Sequence, residues 1–198
     1  MTIAPSRLWI WERPQDGVEY AIGADVAEGL AGGDYSAAVV LRRDTGAQVA
    51  ELHGHSRPDV FARALAGLAH LYHRPYLGVE SNNHGHTALH VLRNELHYPL
   101  LYWHVDNVRG SKPQLGWQTN SRTKPLMMDE LAAAIAEGAI EIRSPFLIDE
   151  CLSFVSKDDD VQEAEEGKHD DLVIACAIAW QVRKRSRPRA LYVRPEGW

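Results

Sequence analysis

Three acidic positions stand where an acid is costly. Asp25 ends the apolar run Tyr20-Ala-Ile-Gly-Ala24, and Glu80 ends Tyr76-Leu-Gly-Val79. The pair Asp170-Asp171 opens a third apolar run, Leu172-Val-Ile-Ala-Cys-Ala-Ile-Ala-Trp180. An ionised carboxylate in such surroundings is strongly disfavoured unless a cation compensates it, and the usual compensators are a metal ion or an Arg. Each acid alone has an ordinary explanation as a turn residue or a helix cap. In the order Asp, Glu, Asp-Asp they point together to one metal site. Carboxylate sets that cleave phosphodiesters bind two divalent ions about 3.5–4 Å apart, one activating water and the other stabilising the leaving 3′-oxygen. Oxygen ligands suit Mg²⁺ or Mn²⁺. In that scheme Asp25 bridges both ions, Glu80 takes one and Asp171 the other. Adjacent residues on a helix point about 100° apart, so one of Asp170 and Asp171 ligates, with Asp171 preferred. Its neighbour caps the helix or acts through water.

Other polar residues offer weaker signals. Asp34 and His169 are candidates for supporting the metal ligands, His169 by moving a proton or contacting phosphate. A turn acid and an exposed helix-start histidine are the bland alternatives. His53 and His55, like His84 and His86, form His-x-His pairs, but without cysteine partners they read as surface histidines rather than zinc ligands. Arg109, Lys112, Arg122 and Lys124, with Trp117, fall in a stretch without periodicity over residues 106–124, a candidate DNA-binding loop. No Gly-x-x-x-x-Gly-Lys-[Ser/Thr] occurs, so the sequence carries no P-loop.

The elements that must position these residues can be read from hydrophobic periodicity. The 198 residues suit one well-packed domain. Residues 1–18, with Pro5 and Pro14 around Leu8-Trp-Ile-Trp11, read as a loosely packed lead-in segment, and residues 186–198 as a basic tail. Between them, residues 19–185 form the folded domain. Strands through Asp25, over residues 35–42 and over 47–53 make an antiparallel meander. A helix over 58–72, the strand ending at Glu80, a helix over 87–96 and a strand over 99–104 then alternate. A helix over 124–138, a short strand over 140–142, a helix over 145–154, an acidic hairpin or loop and the closing helix complete the chain. Three antiparallel strands followed by β-α-β-α is the order of the ribonuclease H-like α/β fold: a central mixed sheet of five or more strands flanked by helices. Ligands are expected at the carboxyl ends of its parallel strands.

The formal charge of −6 argues against a general nucleic-acid binder. It averages an acidic run over residues 158–166 and a basic one over 183–189. Two cysteines, Cys151 and Cys176, without metal or redox spacing, read as structural thiols of a reducing, cytoplasmic compartment. No apolar run approaches a membrane span.

Five motifs in order resemble the nuclease domain of the large terminase subunit of tailed bacteriophages. They are Gly23-Ala-Asp25-Val-Ala-Glu-Gly29 with Gly32-Gly-Asp34-Tyr-Ser36; Val79-Glu80-Ser-Asn-Asn-His-Gly85; Gly116-Trp-Gln-Thr119; Lys124-Pro125; and Gly167-Lys-His-Asp170-Asp171-Leu-Val173. The resemblance implies a RuvC-type, metal-dependent endonuclease that cuts concatemeric double-stranded viral DNA during packaging. It places Asp25, Glu80 and the Asp170-Asp171 pair at the site, leaving open which of the pair ligates. Implied partners are a packaging ATPase domain, the small terminase subunit and the portal, in the host cytoplasm and transiently at the procapsid. Because the family's amino-terminal ATPase has no counterpart here, the sequence is expected to be an excised carboxy-terminal domain. Within the fold class the alternative is a Holliday-junction resolvase. Outside it stand a non-catalytic docking module of a packaging motor and one half of an actin-like or sugar-kinase ATPase, the latter needing a second domain. Residues 106–124 and 158–167 are expected to flank the cleft and gate DNA access.

Overall fold

The computed structural model describes residues 6–30, 32–105, 111–156, 162–164 and 169–185. Arg109 and most of the acidic run lie outside them, as does the tail from residue 186.

The meander forms from three apolar runs buried on both faces. Strands β2 (Tyr20–Asp25), β3 (Ser36–Arg42) and β4 (Gln48–Gly54) pair antiparallel. The lead-in segment departs from expectation: β1 (Arg7–Ile10) pairs antiparallel with β4 through Arg7–His53 to Ile10–Ala50 and forms the sheet edge. Its outer face stays wet, with Leu8 and Ile10 exposed, which is why no alternation betrayed it. Helix α1 (Pro58–Leu71) then crosses over to β5 (Tyr76–Val79), parallel to β2, giving the order β1-β4-β3-β2-β5. This is the mixed ribonuclease H-like sheet read from the sequence.

The second helix starts earlier than its periodicity suggested. Asn82 caps α2 (Asn83–His90), and a π-helical turn, Val91–Glu95, extends it. The strand expected over 99–104 does not form as such. Leu101 makes one parallel bridge to Leu77, after which Trp103–His104 (β6) pairs with Gln114–Leu115 (β7) in a separate ribbon. The reason lies in the loop that follows. Trp117 donates its backbone N–H to Val79 O at 2.7 Å and accepts from Ser81 N at 2.8 Å, taking the hydrogen bonds beside Glu80 that a longer fifth strand would have used. Gly116 makes this insertion possible, with φ +90° and no room for a Cβ beside Val79 O.

Helices α3 (Thr123–Ala136) and α4 (Pro145–Ser153) follow the expected spans. The strand expected over 140–142 reduces to one Ala47–Glu141 bridge. Phe154–Ser156 (β8) pairs with Gln162–Ala164 (β9), the expected hairpin. Helix α5 (Asp171–Arg183) closes the fold. Helices α1 and α2 cover one face of the sheet around Ile22, Val40, Phe61 and Leu65, while α3, α4 and α5 cover the other around Val39, Met127, Leu147 and Ile178.

The α5 contact positions the site. Strand period places Tyr20, Ile22 and Ala24 toward α1, and hence Ala21, Gly23 and Asp25 toward α5. A Cβ on Gly23 would lie 2.2 Å from both Ala175 O and Ala179 N, so the helix backbone rests directly on the strand. Asp171, Ala175 and Ala179 share one helix face at four-residue spacing, which carries Asp171 back along the strand toward Asp25. Gly23→Ala is therefore expected to lower the unfolding free energy by about 3 kcal/mol or more. Gly67→Ala, in α1 with nothing within 4 Å of the added methyl, should raise it by about 0.5–1 kcal/mol. Urea unfolding of both variants measures the contrast, and equal stabilities would contradict this packing.

Candidate metal centre

Asp25 ends β2 and Glu80 follows β5, so the two parallel neighbours deliver both carboxylates to the same end of the sheet. Their backbones are linked there, with Glu80 N donating to Ala24 O at 2.8 Å. The side chains are linked by Asn82, whose Nδ2 lies 2.7 Å from Glu80 Oε2 and 3.3 Å from Asp25 Oδ1. Asp171 reaches the same end from α5 and is only 5% exposed. Its Oδ2 accepts the Tyr35 backbone N–H at 3.0 Å. Asp25, Asn82, His84, Asp34 and Asp171 line a cleft of about 250 Å³ together with the Val26–Leu30 turn and Gly33.

Crowding governs the electrostatics. Burial pushes the Asp25 carboxyl well above its ordinary range, and Glu80, by its charge and by a hydrogen bond to it, and the charge of Asp171 push the same way. Burial carries Asp171 up to about 7, assisted by Asp34 and Asp170 and opposed by the Tyr35 N–H. The donors offered to a ligand are mainly oxygens, and a divalent cation would relieve the repulsion that raises these carboxyls, so the residues fit a hard metal ion. Among the described residues, the group of three that offers ligand atoms within 4.8 Å of one another is Asp34, His169 and Asp171.

The two adjacent acids part company. Asp170 points away from the cleft lining to Lys124 Nζ, 3.5 Å from its Oδ2. Asp170 occupies the cap position of α5 but its side chain makes no capping bond, so of the two roles expected for the neighbour, capping or acting through water, it does not take the first. That task falls to Glu150 of α4, whose Oε2 accepts the N–H groups of Leu172 and Val173 at 2.8 and 3.1 Å. Burial drives Glu150 up to about 8 against the pull of those two donors. Sequence reasoning missed it, since an acid within Asp149-Glu150 on an amphipathic helix gives no sign of where it points.

The histidines also differ from expectation. His53, His55 and His169 pack their rings around Tyr35, at centroid distances of 4.6, 4.1 and 4.8 Å, rather than standing free on the surface. Burial, then the neighbouring His169 and His55, hold His53 down near 4. The signal was partial: His53 lies in β4 and His55 just beyond its end, two residues on, while Tyr35 immediately precedes β3, the strand that pairs with β4 there. His84 joins the cleft, and His86 is exposed. His169 Nδ1 stands 3.7 Å from both Asp34 Oδ1 and Asp171 Oδ2. Asp34 is largely exposed at the cleft rim. Of the basic candidates, Lys124 meets the site through Asp170, Lys112 and Arg122 are exposed ahead of β7 and α3, and Arg109 lies outside the described residues. Cys176 is buried in α5 and Cys151 partly buried in α4, both as free thiols. Among the described residues, no helix is long and apolar enough to cross a membrane.

Solved structures share this architecture. The magnesium-bound large terminase nuclease of thermophilic phage G20c superposes with a TM-score of 0.71 at 20% identity, over 90% of this chain and 91% of that one. Its cobalt-bound form gives 0.68 at 18% identity, over 90% and 91%. The large terminase nuclease domain of Thermus phage P74-26 gives 0.65 at 19% identity, over 90% and 88%. At these identities the likeness establishes the fold. Among curated proteins none matches the chain. The sequence profile of the Terminase RNaseH-like domain matches residues 22–181, from the strand that carries Asp25 to the last turn of α5, and the chain belongs to that family.

Proposed function

We infer that the chain is the metal-dependent endonuclease of phage DNA packaging, and that it hydrolyses DNA by two-metal chemistry at the cleft lined by Asp25 and Asp171, with Glu80 beside it. The observation that carries the reading is the crowding of Asp25 and Glu80 at the carboxyl ends of two parallel strands with Asp171 at the start of α5. Nothing in the packing of a stable domain calls for it. Asp25, Glu80 and Asp171 would hold the divalent ions, Mg²⁺ or Mn²⁺. Such ions, when bound, polarise the phosphate and lower the pKa of water toward neutrality. Water adds to phosphorus, the bond to the 3′-oxygen breaks, and that oxygen takes up a proton.

The protein's own groups do the rest. A cleft of about 250 Å³ admits a phosphate rather than a duplex, so the DNA lies across its mouth. Tyr35 N–H and the Glu150 cap fix Asp171 in place. His169, beside Asp34 and Asp171, is placed to hold or pass a proton. Lys124, Arg122 and Lys112 supply cations to the DNA backbone, each screened by salt. The strand is concatemeric viral DNA, presented by a packaging ATPase, small subunit and portal in the host cytoplasm.

Supercoiled plasmid should be nicked and linearised with Mn²⁺ or Mg²⁺ and left intact in EDTA. Asp25→Asn and Asp171→Asn should reduce cleavage to the EDTA background while still folding. Cleavage by both variants at the wild-type rate would sink the assignment.

A pH dependence follows as well. Asp171 rises from 3.8 to about 7 and Glu150 from 4.5 to about 8 on folding. The native state therefore holds more protons than the unfolded chain across that window, and the metal-free protein loses stability as pH rises through it. The loss should be on the order of a few kcal/mol, smaller in Asp171→Asn and in Glu150→Gln, and reversed by Mn²⁺. Thermal melting from pH 4.5 to 8.5, with and without Mn²⁺, measures it.

A further inference from the structure

We propose that Asn82 is a positioning residue whose side-chain amide ties Asp25 to Glu80 and holds both carboxylates in the arrangement that binds divalent metal. The proposal rests on the metal-dependent reading above and names a determinant of that site outside its ligands.

Asn82 sits two residues after Glu80 and caps α2, and its side chain is fixed at both ends. Oδ1 accepts the Gly85 backbone N–H at 2.7 Å. A backbone N–H can only donate, so the amide oxygen must face Gly85 and the NH₂ must face the two carboxylates. There Nδ2 meets Glu80 Oε2 and Asp25 Oδ1 at 2.7 and 3.3 Å. An NH₂ group has two protons, and this one offers one to each acid. Asp25 and Glu80 belong to different strands, so the amide is a crosslink between β2 and β5 at the end where the cleft opens.

The turn is built to bring this about. A Cβ on Gly85 would lie 1.8 Å from Glu80 O, so the first turn of α2 presses against the backbone of the residue whose side chain it orients. Any other residue at 85 would push the N–H away from Asn82 and free the amide to rotate.

The choice of an amide matters chemically. A Lys between the two acids would neutralise them and compete with the metal. An amide orients them and leaves their charge for the cation. It engages one oxygen of each carboxylate and leaves the second oxygen of each outside that bond. Glu80, with its several side-chain torsions, depends on this restraint more than Asp25 does.

Calorimetric titration of the full chain with Mn²⁺ tests the proposal on wild type, Asn82→Ser, Asn82→Thr and Asp25→Asn, alongside melting in EDTA. Ser and Thr keep an oxygen for the Gly85 N–H, and hence the cap, but cannot bridge two acids. Mn²⁺ affinity should fall about 10–100-fold in both, with melting in EDTA unchanged, and should vanish in Asp25→Asn. Wild-type affinity in the Ser and Thr variants, with binding lost in Asp25→Asn, would overturn the role of Asn82 while keeping the metal site. Unfolding of both variants in EDTA would also overturn it, by making Asn82 a structural cap. Wild-type affinity in Asp25→Asn, or no binding by the wild type, would instead remove the metal reading, and this inference with it.

Discussion

The closeness of α5 to β2 is the contact on which the site depends. Two backbones meet at Gly23 with no side chain between them, and Gly78 on β5 gives the same helix similar relief beneath Ile178 and Val182. Glycine in a strand interior weakens the strand, and here two neighbouring strands accept that cost along the path of one helix. In return the first turn of α5 comes down beside Asp25. With Leu or Val at position 23 the helix would ride several ångströms higher, and Asp171 would face solvent instead of a second carboxylate.

Bringing acids together in this way destabilises them, and the surrounding backbone limits the damage without removing it. Asp171 has one N–H from Tyr35, Glu80 is steadied through the Trp117 insertion beside it, and the free N–H groups at the start of α5 are taken by Glu150. None of these is a full positive charge at Asp25. Burial and mutual repulsion still hold Asp25 and Asp171 above the ordinary carboxylate range. Carboxyls in this state hold protons more tightly than free ones do, so a cation that binds here must displace them, and the strain is stored in residues that the core does not need.

Much of this was legible in the sequence because it follows from period. Short apolar runs bounded by turn residues gave β2, β3 and β4, helical spacing gave α1, α3 and α4, and an apolar run with no polar face gave α5, which is covered on both sides. The acids stood out because each broke an apolar run. What escaped notice depended on partners distant in sequence. Strand β1 exists because β4 has an edge to pair, and residues 101–104 fail to extend the sheet because Trp117, far along the chain, takes their place. Glu150 belongs to α4 but serves α5, and Asn82 caps α2 while its amide also reaches Asp25, 57 residues earlier.

The Asp170-Asp171 pair shows how little sequence adjacency says about shared function. Roughly 100° of helical rotation separates the two side chains, and the packing of α5 between the sheet and α3 converts that angle into different chemistry. Asp171 turns to the sheet, is buried and joins the carboxylates. Asp170 turns to α3, where Lys124 meets it. The Lys124 charge thus enters the site's field through the acid that does not face the cleft, lowering the local negative charge without occupying the metal's position.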